Sequence, residues 1–310
     1  MATKWNTLNG APPRIIAHRG ASGYRPEHTL DGYTLAATQG ADVLEPDLTM
    51  SRDGVLFARH DLGLNRSTDI ASHREFGARA REIAGVRDWW IADFDAAEID
   101  TLRAIQPVAQ RDQQYNGHFV LPRFTMALDL LVMLTAQHSR TLSLYPELKH
   151  PQYFRAIGLD PVDALCRDLE SRALSGEASP VWLQCFDHAV LREAKDRCGN
   201  RCFALIETSN ADMAARDALF ADLATWAAGV APNKFLLWDM TGADTGLVAA
   251  AHAHGLEVHA WTFRDDHPSA PFVTPAEELR AAFELGVDAL FCDFPDTAIA
   301  TRNSFANETQ

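Results

Sequence analysis

The sequence predicts an α/β protein that folds as a single TIM-type (β/α)8 barrel. Short apolar runs alternate with amphipathic segments from residue 14 to the C-terminus, which is the pattern of a parallel sheet covered by helices. No GxGxxG motif follows the first predicted strand, which disfavours an open dinucleotide-binding sheet. The length of 310 residues fits one barrel of roughly 250 residues with an insertion.

The first half of the chain begins with a clear strand–helix unit. An apolar run at residues 14–18 predicts the first strand, and residues 28–39 predict a helix that ends at Gly40. The turn sequence Arg52-Asp53-Gly54 separates two later extended runs. The other predicted elements of this half are strands at 42–50, 55–60 and 142–148 and a strongly apolar helix at 126–138.

The second half repeats the same unit. Its predicted strands are 181–186, 201–207, 257–263 and 287–292, and its predicted helices are 161–174, 188–197, an Ala-rich helix from Asn210, 245–254, 275–285 and 297–305. The sixth strand is ambiguous between residues 227–231 and residues 235–239. Periodicity favours 235–239, whereas 227–231 would leave Pro232-Asn233-Lys234 at the C-terminal end of a strand, where a functional site is expected.

Residues 62–124 break the regular alternation. The segment is rich in Arg, Asp and Gln and reads as an insertion on a loop that follows a strand. Such loops lie on the catalytic face of barrel enzymes, so the segment either shapes the site or decorates it passively. We therefore expect one domain over residues 1–310, with a small insertion at 62–124 on the catalytic face.

The charge of the chain restricts its partners. The formal net charge is −14, from 42 acidic and 28 basic residues. A surface this acidic repels nucleic acid and anionic lipid at long range, so no nucleic-acid partner is expected. A small anionic substrate would need local positive charge, from a metal or from clustered Arg and Lys. The oligomeric state is left open by the sequence.

Neither an export signal nor a membrane span is evident. Residues 1–13 lack the basic-then-apolar pattern of a signal peptide, and no apolar run reaches the roughly 18 residues of a transmembrane helix. We expect no stable membrane insertion. The chain as given is predicted to be cytoplasmic, and a periplasmic location is the alternative if an export signal was removed.

The five cysteines do not predict a disulfide framework, because their number is odd and their density is low. Cys198 and Cys202 lie four residues apart at a predicted helix–strand junction. They are interpreted either as one disulfide or as two half-buried thiols. No further soft ligands lie nearby in sequence to complete a zinc site.

Polar residues stand at strand ends, where a buried strand would otherwise be apolar. The motifs are His18-Arg19-Gly20, Glu45-Pro46-Asp47, His60-Asp61 and Glu147-Leu148-Lys149. Side chains two positions apart on a strand point to the same face, so Glu45 and Asp47 project together, as do Glu147 and Lys149. In a closed barrel, the face that the two side chains of each pair share can point into the interior.

Carboxylates that converge in a dry cavity repel one another, and a divalent cation relieves the repulsion. Glu45, Asp47 and Glu147 form an all-oxygen set, which suits Mg²⁺ or Ca²⁺ better than zinc. Such a metal would bind a phosphodiester oxygen as a Lewis acid. The three residues are therefore predicted metal ligands.

Two cations and two histidines extend this candidate site. Arg19 and Lys149 would supply positive charge to a phosphoryl group. His18 and His60 are suited to proton transfer near neutral pH, one taking a proton from the attacking oxygen and the other giving one to the leaving alcohol. Each motif alone is common in buried or surface strands, and their combination in this order carries the prediction.

The motifs together resemble those of the glycerophosphodiester phosphodiesterases, most closely the bacterial periplasmic type. The matching segments are the four strand-end motifs, Pro26-Glu27-His28-Thr29, Gln184-Cys185-Phe186, Trp261-Thr262 and Asp293-Phe294-Pro295-Asp296. The resemblance covers residues 14–300 and implies a TIM barrel with a small insertion after the second strand. It implies hydrolysis of glycerophosphocholine, glycerophosphoethanolamine and similar small molecules to sn-glycerol 3-phosphate and an alcohol.

The resemblance also implies a role for each matching residue. Glu45, Asp47 and Glu147 match the metal ligands, His18 and His60 the acid–base pair, Arg19 and Lys149 the phosphate contacts, Glu27 a residue near the metal shell, and Trp261 an aromatic wall against the glycerol. Cys185 departs from the family pattern, in which Ser is usual. Asp293 and Asp296 are expected to cap the final helix. Arg264 is expected either to contact substrate or to pair with a neighbouring aspartate of its loop.

Three alternatives are open to tests. A related phosphodiesterase acting on lysophospholipids or sphingomyelin would share the carboxylates and histidines but would need an exposed apolar lip. A barrel that only binds glycerophosphodiesters would be expected to have lost a histidine or a carboxylate, and all are present. An unrelated barrel enzyme such as a metal-dependent aldolase would leave the His18-Arg19 pair unexplained.

Overall fold

The structure, a computed structural model, describes residues 5–207, 213–239 and 241–308. The strands are β1 Arg14–His18, β2 Val43–Glu45, β3 Asp47–Met50, β4 Leu56–Ala58, β5 Arg81–Ile83, β6 Val86–Asp88, β7 Ser143–Leu144, β8 Glu147–Leu148, β9 Leu183–Cys185, β10 Cys202–Ile206, β11 Gly229–Pro232, β12 Glu257–Phe263 and β13 Ala289–Cys292. The α-helices are α1 Leu30–Thr38, α2 Ala96–Ile99, α3 Phe124–His138, α4 Pro151–Ala156, α5 Pro161–Glu170, α6 His188–Cys198, α7 Met213–Leu223, α8 Leu247–Ala253, α9 Pro275–Leu285 and α10 Pro295–Glu308.

Parallel pairing closes the strands into a barrel. Strand β1 pairs with β13 on one side and β2 on the other, and the ring runs from β13 through β12, β11, β10 and β9 to β8. Prolines interrupt two of the strands, Pro46 between β2 and β3 and Pro146 between β7 and β8, because proline has no N–H to donate. Both halves pair across the gap, β2 with β7 and β3 with β8. Counting each interrupted strand once and setting the antiparallel β4 aside, the barrel has eight strands, which confirms the predicted TIM fold.

The interior of the barrel is filled from its N-terminal end. An aromatic cluster that includes Tyr145, Trp182, Phe203 and Phe291 is almost fully buried there. A larger apolar layer lies between the strands and the helices. Because alternate residues share a face, Ile16 belongs to the interior cluster and His18, two residues later, faces the same interior near the C-terminal end. The C-terminal ends of the strands therefore surround a cavity that lies next to the aromatic cluster.

Most predicted elements agree with the structure to within a few residues, and β1, β12 and α9 have the predicted bounds. The preferred sixth strand was wrong. Residues 229–232 form β11, and Lys234–Leu236 form a 3₁₀ turn. The alternating apolar residues that favoured a strand at 235–239 do not share one buried face, since Phe235 is 65% exposed and Leu237 is buried. The predicted start of a helix at Asn210 lies outside the described residues.

The cysteine expectation also needs correction. Cys166 of α5 and Cys198 of α6 form a disulfide with a Cα–Cα distance of 5.4 Å. Cys202 remains a buried free thiol, so the Cys198–Cys202 pairing was wrong. Helices α5 and α6 pack side by side, which brings together cysteines 32 residues apart. Spacing along the chain does not reveal such a contact.

The 62–124 segment follows β4 and returns to the barrel at α3. It contains three 3₁₀ turns, the β5–β6 hairpin and α2. Its apolar side chains, among them Ile70, Phe94 and Ile99, join the main core, and the indole N–H of Trp89 donates to the Phe76 carbonyl. The bounds of the segment as an inserted unit stay a prediction. Among the described residues, no helix combines the length and apolarity that crossing a membrane requires.

Candidate active site

Three buried carboxylates meet at the C-terminal end of the barrel. Glu45 ends β2, Asp47 begins β3 and Glu147 begins β8, and one oxygen of each lies within 4.8 Å of the others. Parallel register explains the convergence, because Asp47 is the partner of Glu147 and Glu45 is the partner of His18. The three predicted metal ligands are thus brought to one point.

The electrostatics of this cluster are those of carboxylates short of positive charge. Burial, with Asp47 nearby, raises the pKa of Glu147 to about 8 despite Lys149. Burial and repulsion from Asp47 and Glu147 raise the pKa of Glu45 well above its usual value. Burial opposes ionisation of Asp47 as well, but Lys149 and Arg19 hold the pKa of that carboxyl well below its usual range. A cation placed among the three would favour their ionised forms.

The donor set fits a hard divalent cation. All three groups offer oxygen, which Mg²⁺ and Ca²⁺ prefer. The Glu45 carboxylate is oriented by the Arg19 backbone N–H at 2.9 Å and by the Gln184 side-chain amide at 3.1 Å. The side-chain oxygen of Gln184 is buried without a hydrogen-bond partner among the described residues. This oxygen adds one more acceptor beside the cluster that is open to a hydrogen-bond donor or a cation.

Three cationic side chains line the same cavity of about 250 Å³, and two of them, Arg19 and Lys149, contact the carboxylates. The Arg19 Nε lies 3.1 Å from an Asp47 oxygen, and the Lys149 Nζ lies 2.8 Å from a Glu147 oxygen. A Glu27 oxygen lies 2.9 Å from the Nη1 of Arg19. Burial by itself would raise the pKa of Glu27, but Arg19 lowers it to about 2. The predicted phosphate contacts therefore present positive charge to the cavity.

Both histidines line this cavity, and each has its Nδ1 against an aspartate. The Nδ1 of His18 lies 2.7 Å from an Asp293 oxygen, and the Nδ1 of His60 lies 2.5 Å from an Asp61 oxygen. Since a carboxylate only accepts, each Nδ1 carries the proton and each Nε2 is left for the cavity. Burial and Arg19 lower the pKa of His18 to about 4, against the opposing effect of Asp293.

Asp293 is the functional contact that the sequence interpretation missed. It was expected to cap the final helix, but one of its oxygens faces His18 and the other accepts from Arg111 and Arg264. The loop arginine Arg264 thus pairs with Asp293 and not with its sequence neighbours. Asp296 lies inside α10 and accepts from the Tyr24 hydroxyl, so it is no cap either. A signal was available, because Asp293 directly follows β13 as the other polar motifs follow their strands.

His28 is another contact that the sequence interpretation missed, because it gave this residue no role beyond its place in the motif Pro26-Glu27-His28-Thr29. Its Nε2 lies 2.9 Å from an Asp47 oxygen, and its Nδ1 lies 3.0 Å from the Tyr33 hydroxyl. The residue has φ 58°, in the left-handed region that few side chains adopt. His28 therefore supports Asp47, one of the predicted metal ligands, without lining the cavity itself.

The opposite wall of the cavity is aromatic. Trp261 lines it, and the indole N–H of Trp261 donates to the Ala231 carbonyl at 2.7 Å. The Phe186 ring stands edge-on to Trp261 with centroids 5.6 Å apart. Cys185, the departure from the family pattern, donates its thiol to the Leu148 carbonyl and is absent from the cavity lining. The residue at this position therefore does not form part of the aromatic wall.

A second cavity of about 620 Å³ adjoins the first. The two share His18, Arg19 and Arg264, so the site continues from one into the other. Residues of the 62–124 segment, including Arg66 and Arg111, line the second cavity. The predicted insertion therefore lies beside the site.

A closed parallel barrel that carries an acidic cluster, two cations and two carboxylate-backed histidines at its C-terminal end defines a TIM-barrel phosphodiester hydrolase. The sequence profile of the glycerophosphoryl diester phosphodiesterase family matches residues 18–297. The chain belongs to this family and is an enzyme.

Relatives support the assignment along the whole chain. A glycerophosphodiester phosphodiesterase of Arabidopsis thaliana is 30% identical over 94% of this chain and 86% of its own length. One from Haemophilus influenzae is 28% identical over 95% of this chain and 91% of its own length.

Solved structures share the fold. A glycerophosphoryl diester phosphodiesterase structure from Silicibacter pomeroyi has a TM-score of 0.73 at 22% identity and covers 97% of this chain and 98% of its own. An Oleispira antarctica phosphodiesterase, solved with the product sn-glycerol-3-phosphate, has a TM-score of 0.70 at 21% identity, with 96% and 99% covered.

Proposed function

We propose that this enzyme hydrolyses glycerophosphodiesters, such as glycerophosphocholine and glycerophosphoethanolamine, to sn-glycerol 3-phosphate and an alcohol, with Mg²⁺ or Ca²⁺ as cofactor. The observation that carries the proposal is the buried cluster of Glu45, Asp47 and Glu147 beside Arg19 and Lys149. The product found in the Oleispira antarctica relative supports the same chemistry.

The phosphodiester binds at the charged wall of the smaller cavity. Glu45, Asp47 and Glu147 would hold a divalent cation, which would supply Lewis-acid polarisation of a phosphoryl oxygen. Arg19 and Lys149 orient the phosphodiester and offset its charge. Trp261 offers an apolar face to the carbons of the glycerol. The leaving alcohol extends into the second cavity, which shares His18 with the first.

Proton transfer is assigned to the two histidines. One Nε2 accepts the proton of the attacking oxygen as the new P–O bond forms, and the other donates a proton to the alcohol oxygen as the old P–O bond breaks. The lowered pKa of His18 favours its neutral form at neutral pH, which suits the accepting role. The attacking oxygen belongs either to water, which gives sn-glycerol 3-phosphate directly, or to the neighbouring glycerol hydroxyl, which gives a cyclic phosphate that water opens in a second step.

The test is a panel of glycerophosphodiesters with coupled detection of glycerol 3-phosphate. Chelation should abolish turnover, and Mg²⁺ or Ca²⁺ should restore it. Glu147→Gln removes one predicted ligand with little change in shape and should lose both turnover and metal binding measured by calorimetry. Full activity in a metal-stripped sample would contradict the metal assignment.

A second candidate is a phosphodiesterase that acts on lysophospholipids. Phe186, which follows β9, and Phe235, which follows β11, are 42% and 65% exposed, and they offer apolar surface on the aromatic side of the barrel mouth. Turnover of lysophosphatidylcholine at a rate comparable to glycerophosphocholine would favour this candidate. Turnover of glycerophosphocholine alone would exclude it.

The disulfide bears on localisation. We propose that the enzyme works in an oxidising compartment such as the periplasm, because disulfides rarely persist in the cytoplasm. Cys166 and Cys198 are buried and bonded to each other. Alkylation of cell fractions followed by mass measurement should find these two cysteines protected in the producing organism. Free thiols at both positions would restore the cytoplasmic prediction.

A further inference from the structure

A chain of buried contacts connects the 62–124 segment to His18. The Nη2 of Arg111 donates to Asp293 Oδ2 at 2.6 Å, and Asp293 Oδ1 lies 2.7 Å from the Nδ1 of His18. The Arg111 side chain is only 7% exposed. Water therefore screens neither contact strongly, and a change at Arg111 reaches the imidazole through one carboxylate.

Arg111 is itself held from several sides. Its Nε and Nη2 donate to the two oxygens of Asp266 at 2.7 and 3.2 Å, and its Nη1 donates to the Ser22 carbonyl at 3.2 Å. Its guanidinium carbon lies 5.3 Å from the centre of the Phe294 ring. A planar guanidinium with all three nitrogens engaged has little freedom to turn, so it offers Asp293 a fixed donor.

The second histidine has a similar but exposed support. Arg66, from the same segment, donates to Asp61 at 3.1 Å, and Asp61 contacts His60. The Arg66 side chain is 53% exposed, so solvent competes for its charge and its geometry. The two arginines differ in burial, and only Arg111 has the rigid surroundings that positioning requires.

We propose that Arg111 is a positioning residue for phosphodiester hydrolysis, which holds Asp293 so that His18 keeps its Nε2 in the cavity. The inference rests on the proposed function. Its consequence is that the 62–124 segment completes the proton-transfer machinery of the barrel. The competing interpretation is that Arg111 only anchors the segment to the barrel through Asp266 and Ser22.

A double-mutant cycle on kcat separates the two interpretations. Arg111→Gln should lower kcat about 10-fold with KM within about threefold of wild type, because the imidazole is misplaced while the substrate contacts remain. Asp293→Asn should lower kcat about 100-fold. Arg111→Gln added to Asp293→Asn should then cause no further loss, because Arg111 acts through Asp293.

Two controls test anchoring by itself. Asp266→Asn removes the charge of the anchor, but its amide oxygen still accepts from Arg111 and the Arg111–Asp293 contact remains, so its loss of kcat should be clearly smaller than that of Arg111→Gln. Arg79→Gln removes an arginine that pairs with Glu98 inside the segment, and it should lower the melting temperature without lowering kcat. If Arg111→Gln does not fold, Arg111→Lys replaces it in the same double-mutant cycle. Lysine keeps the positive charge but lacks the paired N–H donors of the guanidinium group.

Several results would overturn the inference. They are an unchanged kcat in the Arg111 variant, an equal loss in the wild-type and Asp293→Asn backgrounds, or an Asp266→Asn loss as large as that of Arg111→Gln. A wild-type enzyme without activity on any glycerophosphodiester would instead refute the proposed function. The two failures are therefore distinguishable.

Discussion

Two histidines inside the same barrel illustrate what makes a side chain available for chemistry. His18 lies near the C-terminal end, with its Nδ1 2.7 Å from Asp293, and His259 lies toward the N-terminal end, with its Nε2 3.2 Å from Glu257. Burial lowers the pKa of both. By residue type, carboxylate partner and direction of the pKa change, the two are alike.

Their surroundings differ. The His259 ring stacks on Phe203 with centroids 4.1 Å apart, and its other nitrogen lies 3.2 Å from the Tyr145 hydroxyl. Both of its nitrogens are engaged, and its side chain is fully buried. His18 keeps one nitrogen for a cavity of about 250 Å³. A ring nitrogen that is open to a cavity, and not a carboxylate partner, distinguishes His18, the proposed catalytic histidine, from His259.

The carboxylates of the two ends differ in a corresponding way. Glu257 has an arginine on each side, Arg14 at 3.3 Å and Arg201 at 2.8 Å. At the C-terminal end, the three clustered carboxylates are contacted by Arg19 and Lys149, and burial raises the pKa of Glu147 to about 8. A charge-balanced end contributes to stability, whereas an end short of positive charge is suited to a metal and an anionic ester.

The largest expected effect is on turnover. His18→Ala and His60→Ala should each lower kcat by about 100-fold or more without unfolding the protein, because each removes a proton-transfer group. Steady-state kinetics with circular dichroism as the folding control checks this. Near wild-type turnover in either variant would remove that histidine from the mechanism.

A smaller effect is expected on the pH dependence of stability. The pKa of Glu147 in the folded enzyme, about 8, lies above its value in the unfolded chain, about 4.5. Without metal, the contribution of Glu147 to stability should therefore fall as pH rises from about 4.5 toward 8, since its carboxyl retains a proton in the folded state that it releases in the unfolded state, and the difference between wild type and Glu147→Gln measures this contribution. Added Mg²⁺ or Ca²⁺ should raise the melting temperature more at pH 8 than at pH 5, because protons compete with the metal. An equal rise at both values would argue against binding at Glu147, and Glu147→Gln should abolish the difference.

At the N-terminal end of the barrel, a histidine variant is expected to lose stability and keep its turnover, the opposite of the His18 and His60 variants. His259→Leu should lower the free energy of unfolding by about 1–3 kcal/mol, because the Tyr145 hydroxyl loses its buried partner. Its kcat should remain within twofold of wild type. Denaturant unfolding and kinetics on the same preparation measure both quantities. A large loss of kcat at unchanged stability would break the comparison between the two histidines.

The smallest effect is expected at the exposed support of His60. Arg66→Gln should lower kcat by no more than about threefold, because an exposed ion pair contributes little. The comparison with Arg111→Gln at the same pH and salt isolates burial as the variable. A loss at Arg66 larger than that at Arg111 would show that exposure does not govern the two supports.

The predictable part of the molecule was the part encoded by local pattern. Alternation of strands and helices predicted the barrel, and the i, i+2 relation predicted that Glu45 and Asp47 share a face. Polar residues at strand ends predicted the cavity-lining set, because the ends of parallel strands meet at one face of a barrel. The sequence alone therefore determined the fold class and the residues that meet at the C-terminal end.

Only the tertiary structure decided which distant residues touch. The Asp293 contact with His18 joins residues 275 positions apart, and it exists because β13 and β1 are neighbours where the barrel closes. The Cys166–Cys198 disulfide depends likewise on two helices packing side by side. Arg111 reaches Asp293 from a segment without a regular hydrophobic period. Periodicity reports the face on which a side chain lies, whereas its partner is set by how the whole chain packs.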